Sequence, residues 1–523
     1  MQNEGKRSFA AGAATLAAAG VVVKVIGACY RIPMTNIIGD QGIALYQYAY
    51  PIYGTLLALS TAGIPAAVSK LVSEHISRGE TAQAQRVFHV SLALLALVGL
   101  VSAAALFCFA PQVAAWVGDP LACLPIRAIA PALFFVAVLS AYRGYYQGQQ
   151  RMTPTAATQI VEQAGKLVMG LWLAYMMRDR GVEYAAAGAI LGVTLAEAVA
   201  MVLVLGMGAA SRRQGAARGN KEPARAVIGR LLPVALPMMI GAVMMPLVGM
   251  IDSFVVNHRL LDTGIAAEEA RSLYGLLTGP VNTLVNMPSV IPLALAMALV
   301  PAIAQACARG AQGEVRNKTR LALKITLTIS LPAAVALAVM AEPLMALLYG
   351  GLTAEKHLQA ARLLQISTPS VVALAIVQTL SGTLQGMGKV KAPVAALAAG
   401  AAAKIVVTHV LTGIPALNIT GACIGTVVCY SIAAAIDLYW ASRALGHALD
   451  GMRLLTRPAA ASCAMGAVLA AYLHHAQGLM RPWAMALCGV GLGLIVYFAV
   501  LWAVGGISMG EARRMLGRWE AAG

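Results

Sequence analysis

The sequence predicts an all-α polytopic membrane protein. It should carry about 14 transmembrane helices, as two six-helix bundles in parallel repeat plus a C-terminal helix pair. Three observations lead there. Apolar residues make up 59% of the 523 positions and charged residues only 11%, whereas soluble domains are about a quarter charged. The mean hydropathy of +0.75 is carried by long unbroken apolar runs rather than by the short alternating stretches of membrane strands. Finally, groups of residues in the first half recur in the same order in the second.

The apolar runs fall near 8–34, 44–71, 87–110, 121–145, 155–177, 184–207, 229–256, 279–305, 319–340, 361–385, 392–412, 418–441, 457–476 and 483–504. The first continues into a segment containing Lys24, so it reads as a helix of the mature protein and not as a cleaved signal. An even number of spans puts both termini on one side. Lys and Arg divide about 25 to about 7 in favour of that side, which is the positive-inside pattern for cytoplasmic termini. The expected setting is a membrane with both termini on its cytoplasmic face. Topology also accounts for most of the net charge of +17, so no nucleic-acid partner is implied.

Organisation along the chain follows from composition. Residues 1–210 form the expected N-terminal six-helix bundle and 211–230 a basic cytoplasmic linker. The C-terminal bundle covers 231–442, an extra helix pair 443–505, and a cytoplasmic tail 506–523 in which Trp519 is an interfacial anchor. The repeat supports this division. Gly144-Tyr145-Tyr146-Gln147-Gly148, followed by Arg151, Pro154 and Lys166, is answered by Gly382-Thr383-Leu384-Gln385-Gly386, followed by Lys389, Pro393 and Lys404. Farther on, GAILG at 188–192 is answered by GACIG at 421–425. Both copies start on the same side, so the repeat is parallel, with a site expected between the halves.

Ionisable groups inside apolar spans are costly and therefore informative. Lys24 and Arg31 lie seven residues apart, on one face of the first helix together with Gly27. Glu162 and Lys166 stand at i, i+4 and can pair within their helix. Asp252, Asn286 and Lys404 complete the set of candidate substrate-binding residues, while Glu197 and Asp437 read as structural groups near span ends. The segment from Lys24 to Lys70 reads as a helix end, a short turn near 34–44 and a second helix. Pro33, Pro51 and Pro65 mark that pair; Pro233, Pro237 and Pro246 mark the seventh span, and Pro280, Pro288, Pro292 and Pro301 the eighth. Tyr46, Tyr50 and Tyr53 form one stripe, either an interfacial belt or a sugar-stacking face.

No catalytic constellation, phosphate-cradling loop or metal-ligand spacing is present, so neither an enzyme nor a cofactor is expected. The eight cysteines are scattered through apolar runs without a CxxC pair and read as small buried residues. Transport would run on substrate or ion gradients, which makes a coupling ion a further expected partner.

The opening KVIGACYRIPMTNIIGDQGIALYQYAYPIYGTLLALSTAGIPAAVSKLVSE resembles the SpoVB-like branch of polysaccharide-biosynthesis proteins, in the MOP superfamily with MurJ, Wzx and the MATE antiporters. AYRGYYQGQQRMTPTAATQIVEQAGK, LVGMIDSFVVNHRL and SGTLQGMGKVKAP carry the resemblance onward over about 8–505. It implies fourteen helices around a central cavity that opens to alternate sides. It also implies movement of an undecaprenyl-diphosphate-linked oligosaccharide or peptidoglycan precursor, as in sporulation or cell-wall synthesis. By the match of KVIG to a MurJ-type RVLG, Lys24 takes one cavity-cation position, and Arg31 takes a second with a one-residue offset. The eighth-helix stretch VNTLVNMP departs from the MurJ type, with neutral Thr283 and Asn286 where that type has an Arg and a Glu. The expected partners are a lipid-linked anionic substrate and membrane lipids. The alternatives are a MATE-like cation or drug antiporter using Asp252 and Glu162, and a non-transporting cell-envelope scaffold.

Overall fold

The computed structural model describes residues 2–61, 63–212, 222–446, 451–476 and 479–505. The side chains of 2–19 and of a few other helical positions, Lys24 among them, lie outside the described residues, as do the middle of the expected linker and the tail with Trp519. By packing, the chain divides into two compact units, Met1–Gly279 and Pro280–Gly523.

The first unit runs α1 (Gln2–Thr61), α2 (Ile64–Ser77), α3 (Thr81–Cys108), α4 (Ala110–Val117), α5 (Cys123–Ile129), α6 (Ala132–Gly148), α7 (Thr153–Met177), α8 (Val182–Arg212), α9 (Ala224–Asp262) and α10 (Ala267–Leu276). The second runs α11 (Asn282–Asn286), α12 (Val290–Ala308), α13 (Gln312–Val339), α14 (Ala341–Leu348), α15 (Ala354–Ser367), α16 (Pro369–Gly386), α17 (Lys391–Thr412), α18 (Thr420–Ala444), α19 (Gly451–Ala476) and α20 (Pro482–Ala503). Among the described residues there is no strand.

Among the described residues, ten helical segments are long and apolar enough to cross a membrane, or eleven when the bent pair α15–α16 counts as one span. The sequence expectation was about 14, and three places account for the difference. The two opening spans merge into one helical segment, and α7 and α9 fall outside the count. At α7 the reason is polar content: Gln159, Glu162, Gln163 and Lys166 dilute a 25-residue helix that is otherwise apolar. The expected turn near 34–44 is a single break at Gly39, whose φ of 69° and ψ of −178° interrupt a 60-residue helical run. That run is far longer than a span of about 20 residues requires. Pro33 and Pro51 sit inside α1, whereas Pro65 lies at the start of α2, where its missing N–H costs nothing.

Small residues set how closely these helices approach. At the α7–α8 contact a Cβ on Gly192 would stand 2.3 Å from the Gly170 Cα, and one on Gly188 would stand 2.7 Å from the Leu173 carbonyl oxygen. The expected repeat partners behave alike: a Cβ on Gly421 would lie 2.5 Å from the Thr412 nitrogen and one on Gly425 would lie 2.2 Å from the Thr408 hydroxyl oxygen, while on the facing helix one on Gly400 would lie 2.4 Å from the Cys429 carbonyl oxygen. The repeated glycines therefore build the same backbone-to-backbone helix pair, α7–α8 and α17–α18, in each unit. Gly192→Ala will force α7 and α8 apart at a cost of about 1–3 kcal/mol, read as a lower unfolding temperature in detergent; an unchanged temperature would contradict the packing.

A second reciprocal contact joins α1 to α9. Pro51-Ile52-Tyr53-Gly54 faces Pro246-Leu247-Val248-Gly249, with the Pro51 Cβ 3.4 Å from the Cβ position of Gly249 and the Pro246 Cβ 3.4 Å from that of Gly54. Each proline ring fills the space left by the opposite glycine. The C-terminal pair docks on the second unit, where the Tyr497 hydroxyl donates to the Thr328 carbonyl oxygen at 2.7 Å. Large apolar side chains remain on the outside, among them Trp172, Val202 and Ile495, 60%, 64% and 70% exposed. On a water-facing protein such a surface is a liability; against hydrocarbon it is the expected outer face.

Candidate functional site: a charged network behind a tyrosine wall

The close α7–α8 approach brings two polar helix positions together. On α7, Lys166 donates to Glu162 Oε1 at 2.7 Å, the i, i+4 pair expected from the sequence. The same ammonium reaches Glu197 Oε1 on α8 at 3.2 Å. Glu162 Oε2 accepts from Arg143 on α6 at 3.0 Å, and the Arg143 Nε donates to the Thr158 hydroxyl at 3.1 Å. Two cations and two carboxylates thus alternate across three helices, and the ammonium at the centre serves both carboxylates. Lys166 is 8% exposed and Glu197 1%. Buried ions persist only when paired and hydrogen-bonded, and each charge here has at least one opposite partner.

α1 closes one side of this network. Tyr46 and Tyr50 stack at 5.5 Å between ring centroids, and Tyr50 and Tyr53 follow at 5.9 Å. Tyr46 and Tyr53 are buried and Tyr50 is half-buried, so the stripe is an interior wall and not an interfacial belt. Lys166 acts electrostatically on Tyr50 and Tyr53, and Arg31 and Lys166 both act on Tyr30 and Tyr46. Arg31 is half-buried, and among the described residues it takes part in no ion pair. Gly27, one turn before it, faces Gln163 on α7, whose Oε1 would lie 3.9 Å from an added Cβ. Two buried oxygens in this region lack a hydrogen-bond partner: the Tyr30 hydroxyl and Glu197 Oε2.

Of the sequence candidates, the structure therefore brings together Arg31, Glu162 and Lys166. Lys24 lies on α1 with Arg31, but its side chain lies outside the described residues. Asp252 lies half-buried on α9, within electrostatic reach of Tyr274. Asn286 is exposed on α11 and donates to the Asn282 carbonyl oxygen at 2.6 Å. Lys404 is buried on α17 in the second unit and acts electrostatically on Cys423. Two members of the network escaped sequence reasoning. Glu197 reads from the sequence as a structural group near a span end, but it is buried; Arg143, near the end of the fourth apolar run, is not among the sequence candidates. The available signal is that each is a charge within an apolar run, Arg143 near the end of one and Glu197 inside another, with no opposite charge at helical spacing. Asp437 is likewise fully buried, accepting from Ser381 at 3.3 Å through one oxygen.

A second polar cluster ties α1 to the α9–α10 region. Arg271 grips Asp119 through Nε at 2.6 Å and through a terminal nitrogen at 3.0 Å. Tyr48 donates to Asn257 at 2.9 Å, Asn257 donates to the Val117 carbonyl oxygen at 2.7 Å, and the Tyr48 and Tyr274 rings stack at 4.8 Å. Ser272 donates to Asp40, and Gln41 to Glu268 at 2.9 Å. Gly275 makes this approach possible, since a Cβ there would lie 1.8 Å from the Asp40 carbonyl oxygen.

The sequence and the helical architecture match known proteins. The family model described as polysaccharide biosynthesis protein matches residues 9–307, more than half of the chain. The chain belongs to that family. A second model, MatE, matches residues 237–410. Among curated relatives from Bacillus subtilis (strain 168), stage V sporulation protein B is 28% identical over 81% of this chain and 81% of its own. The lipid II flippase MurJ is 24% identical over 95% of this chain and 94% of its own. Among solved structures, an inward closed lipid II flippase MurJ superposes with a TM-score of 0.71 at 13% identity, covering 93% of this chain and 97% of that one. An inward-facing multidrug resistance MATE transporter of the MOP superfamily gives 0.68 at 16% identity, covering 81% and 94%. This polysaccharide biosynthesis family protein is accordingly a multi-pass membrane protein with a MurJ- and MATE-like fold.

Proposed function

We propose that the protein is a flippase or exporter. Its substrate is an undecaprenyl-diphosphate-linked oligosaccharide or peptidoglycan precursor of the lipid II kind, moved across a bacterial cytoplasmic membrane by alternating access. The observation that carries this reading is Arg31, a half-buried cation without an ion-pair partner among the described residues, beside Lys166 and the tyrosine wall. A guanidinium held in this way suits a diphosphate, which it grips with two parallel hydrogen bonds, and tyrosine rings offer sugars a flat face with a polar edge. The flippase named among the relatives supports the same substrate class. Lys24 and Lys404 add positive charge along the route. The polyprenyl tail stays in lipid, beside α19 and α20. Both termini are cytoplasmic.

The test is flipping of a fluorescent lipid-linked diphosphate in proteoliposomes. Arg31→Ala should lower the rate at least tenfold at matched insertion, and full activity would remove Arg31 from the substrate site. One observation favours a second reading, the MATE-like cation antiporter: Glu162 and Glu197 place two carboxylates in the same network. A cationic dye transported faster than the diphosphate lipid would select it.

A further inference from the structure

The network in the first unit is neutral in sum but uneven in its parts. Glu162 holds two cations, Arg143 and Lys166. Among the described residues Glu197 has one cation partner, Lys166, at the longer contact through Oε1, while its Oε2 is buried without a hydrogen-bond partner. Two carboxylates bound to one ammonium stand close together, and like charges in a buried site disfavour double ionisation. Glu162 is secured by Arg143, so Glu197 is the carboxylate that gives up its charge at least cost. The groups facing Glu197 are Lys166 and Glu162 from α7, Arg143 from α6 and Tyr53 from α1. From α5 the charged Arg127 lies over the Phe107 ring instead.

We propose that Glu197 is a proton site linked to anion binding at Lys166: protonation of Glu197 frees the Lys166 ammonium, which then joins Arg31 in holding the diphosphate. The proposal rests on the functional reading above for the identity of the anion. The charges balance. With all four network groups ionised, a diphosphate adds negative charge beside two carboxylates. One proton taken up on Glu197 offsets part of that charge and leaves Lys166 a single carboxylate partner. Nothing covalent changes; a proton moves from solvent to a Glu197 oxygen. Linkage then requires the reverse coupling too, so anion binding raises proton affinity by the same factor that protonation raises anion affinity. Arg31 and Lys166 both lie within electrostatic reach of Tyr30 and Tyr46, and the Tyr30 hydroxyl, without a hydrogen-bond partner among the described residues, supplies a further polar contact for a ligand there.

The experiment measures binding of farnesyl diphosphate to the full-length protein in detergent from pH 6 to 9, for wild type and Glu197→Gln. It also counts protons taken up by wild type in weak buffer. Because the probe titrates as well, the difference between the two proteins is the readout. Wild type should lose up to about tenfold more affinity per pH unit than the variant over part of this range, the slope for one linked proton. It should also take up more protons per bound lipid than the probe's own titration supplies. Identical pH profiles, or no excess proton uptake by wild type, would overturn the linkage while leaving the substrate reading intact. No binding of the diphosphate by wild type at any pH would overturn the substrate reading, and the linkage with it. Proton uptake is measured on the unaltered protein, so poor folding of the variant does not shield the proposal.

Discussion

Replacing Lys166 by alanine will destabilise the protein by about 3–5 kcal/mol, the range for removing one member of a buried ion pair. The reason is specific to the geometry. Glu162 keeps Arg143 at 3.0 Å, but Glu197 is left buried with no cation within ion-pair distance among the described residues. Most of the cost is therefore the stranded Glu197 charge and not the lost attraction. The double variant Lys166→Met with Glu197→Leu should regain much of the loss, because apolar groups of similar volume replace buried pairs at little cost. Under the proposed function it should not regain flipping, because the substrate-facing cation is gone. Thermal unfolding in detergent for the two single variants and the double variant gives the coupling directly. Additive effects would show that Lys166 and Glu197 do not act as a pair.

Arg271→Ala will be of similar size, about 3–5 kcal/mol, because Asp119 is 3% exposed and loses both arms of its guanidinium partner. The Leu121 N–H, 3.1 Å from Asp119 Oδ1, is too little to hold the charge in place. Arg271→Lys keeps the charge but not the fork, so its loss should be intermediate. The same cluster holds Ser272 against Asp40 and Tyr48 against Asn257. Its loosening should expose position 272, now 8% exposed, to a membrane-impermeant thiol reagent in a cysteine-free background carrying Ser272→Cys. An Arg271→Ala protein with wild-type unfolding temperature and no new labelling would show that the ion pair does not hold this region together.

The distance between reading the sequence and seeing the site is clearest at four residues. Glu162 and Lys166 were legible because a helix repeats every 3.6 residues, so i and i+4 meet whatever the tertiary fold. Glu197 and Arg143 were not, because each meets its partner across a helix interface. The tyrosine stripe was visible as spacing, but whether it faced lipid headgroups or the interior depended on which way α1 turned. The candidates Asp252, Asn286 and Lys404 were found as rare polar groups in apolar runs. Rarity identifies a cost, but it does not say which neighbours meet it.

The sequence by itself determined that this is a helical, multi-pass membrane protein, and the family to which it belongs. Burying a backbone in hydrocarbon leaves few options, and the apolar runs and repeated glycines express them locally. Only the tertiary structure decided that the break in α1 falls at Gly39, and that α7 and α8 touch backbone to backbone at Gly170 and Gly192. It also decided that one lysine serves two carboxylates from different helices. Those outcomes depend on contacts between residues far apart in the chain. Periodicity and hydropathy are local sums, and they cannot choose among the ways of packing equally apolar helices.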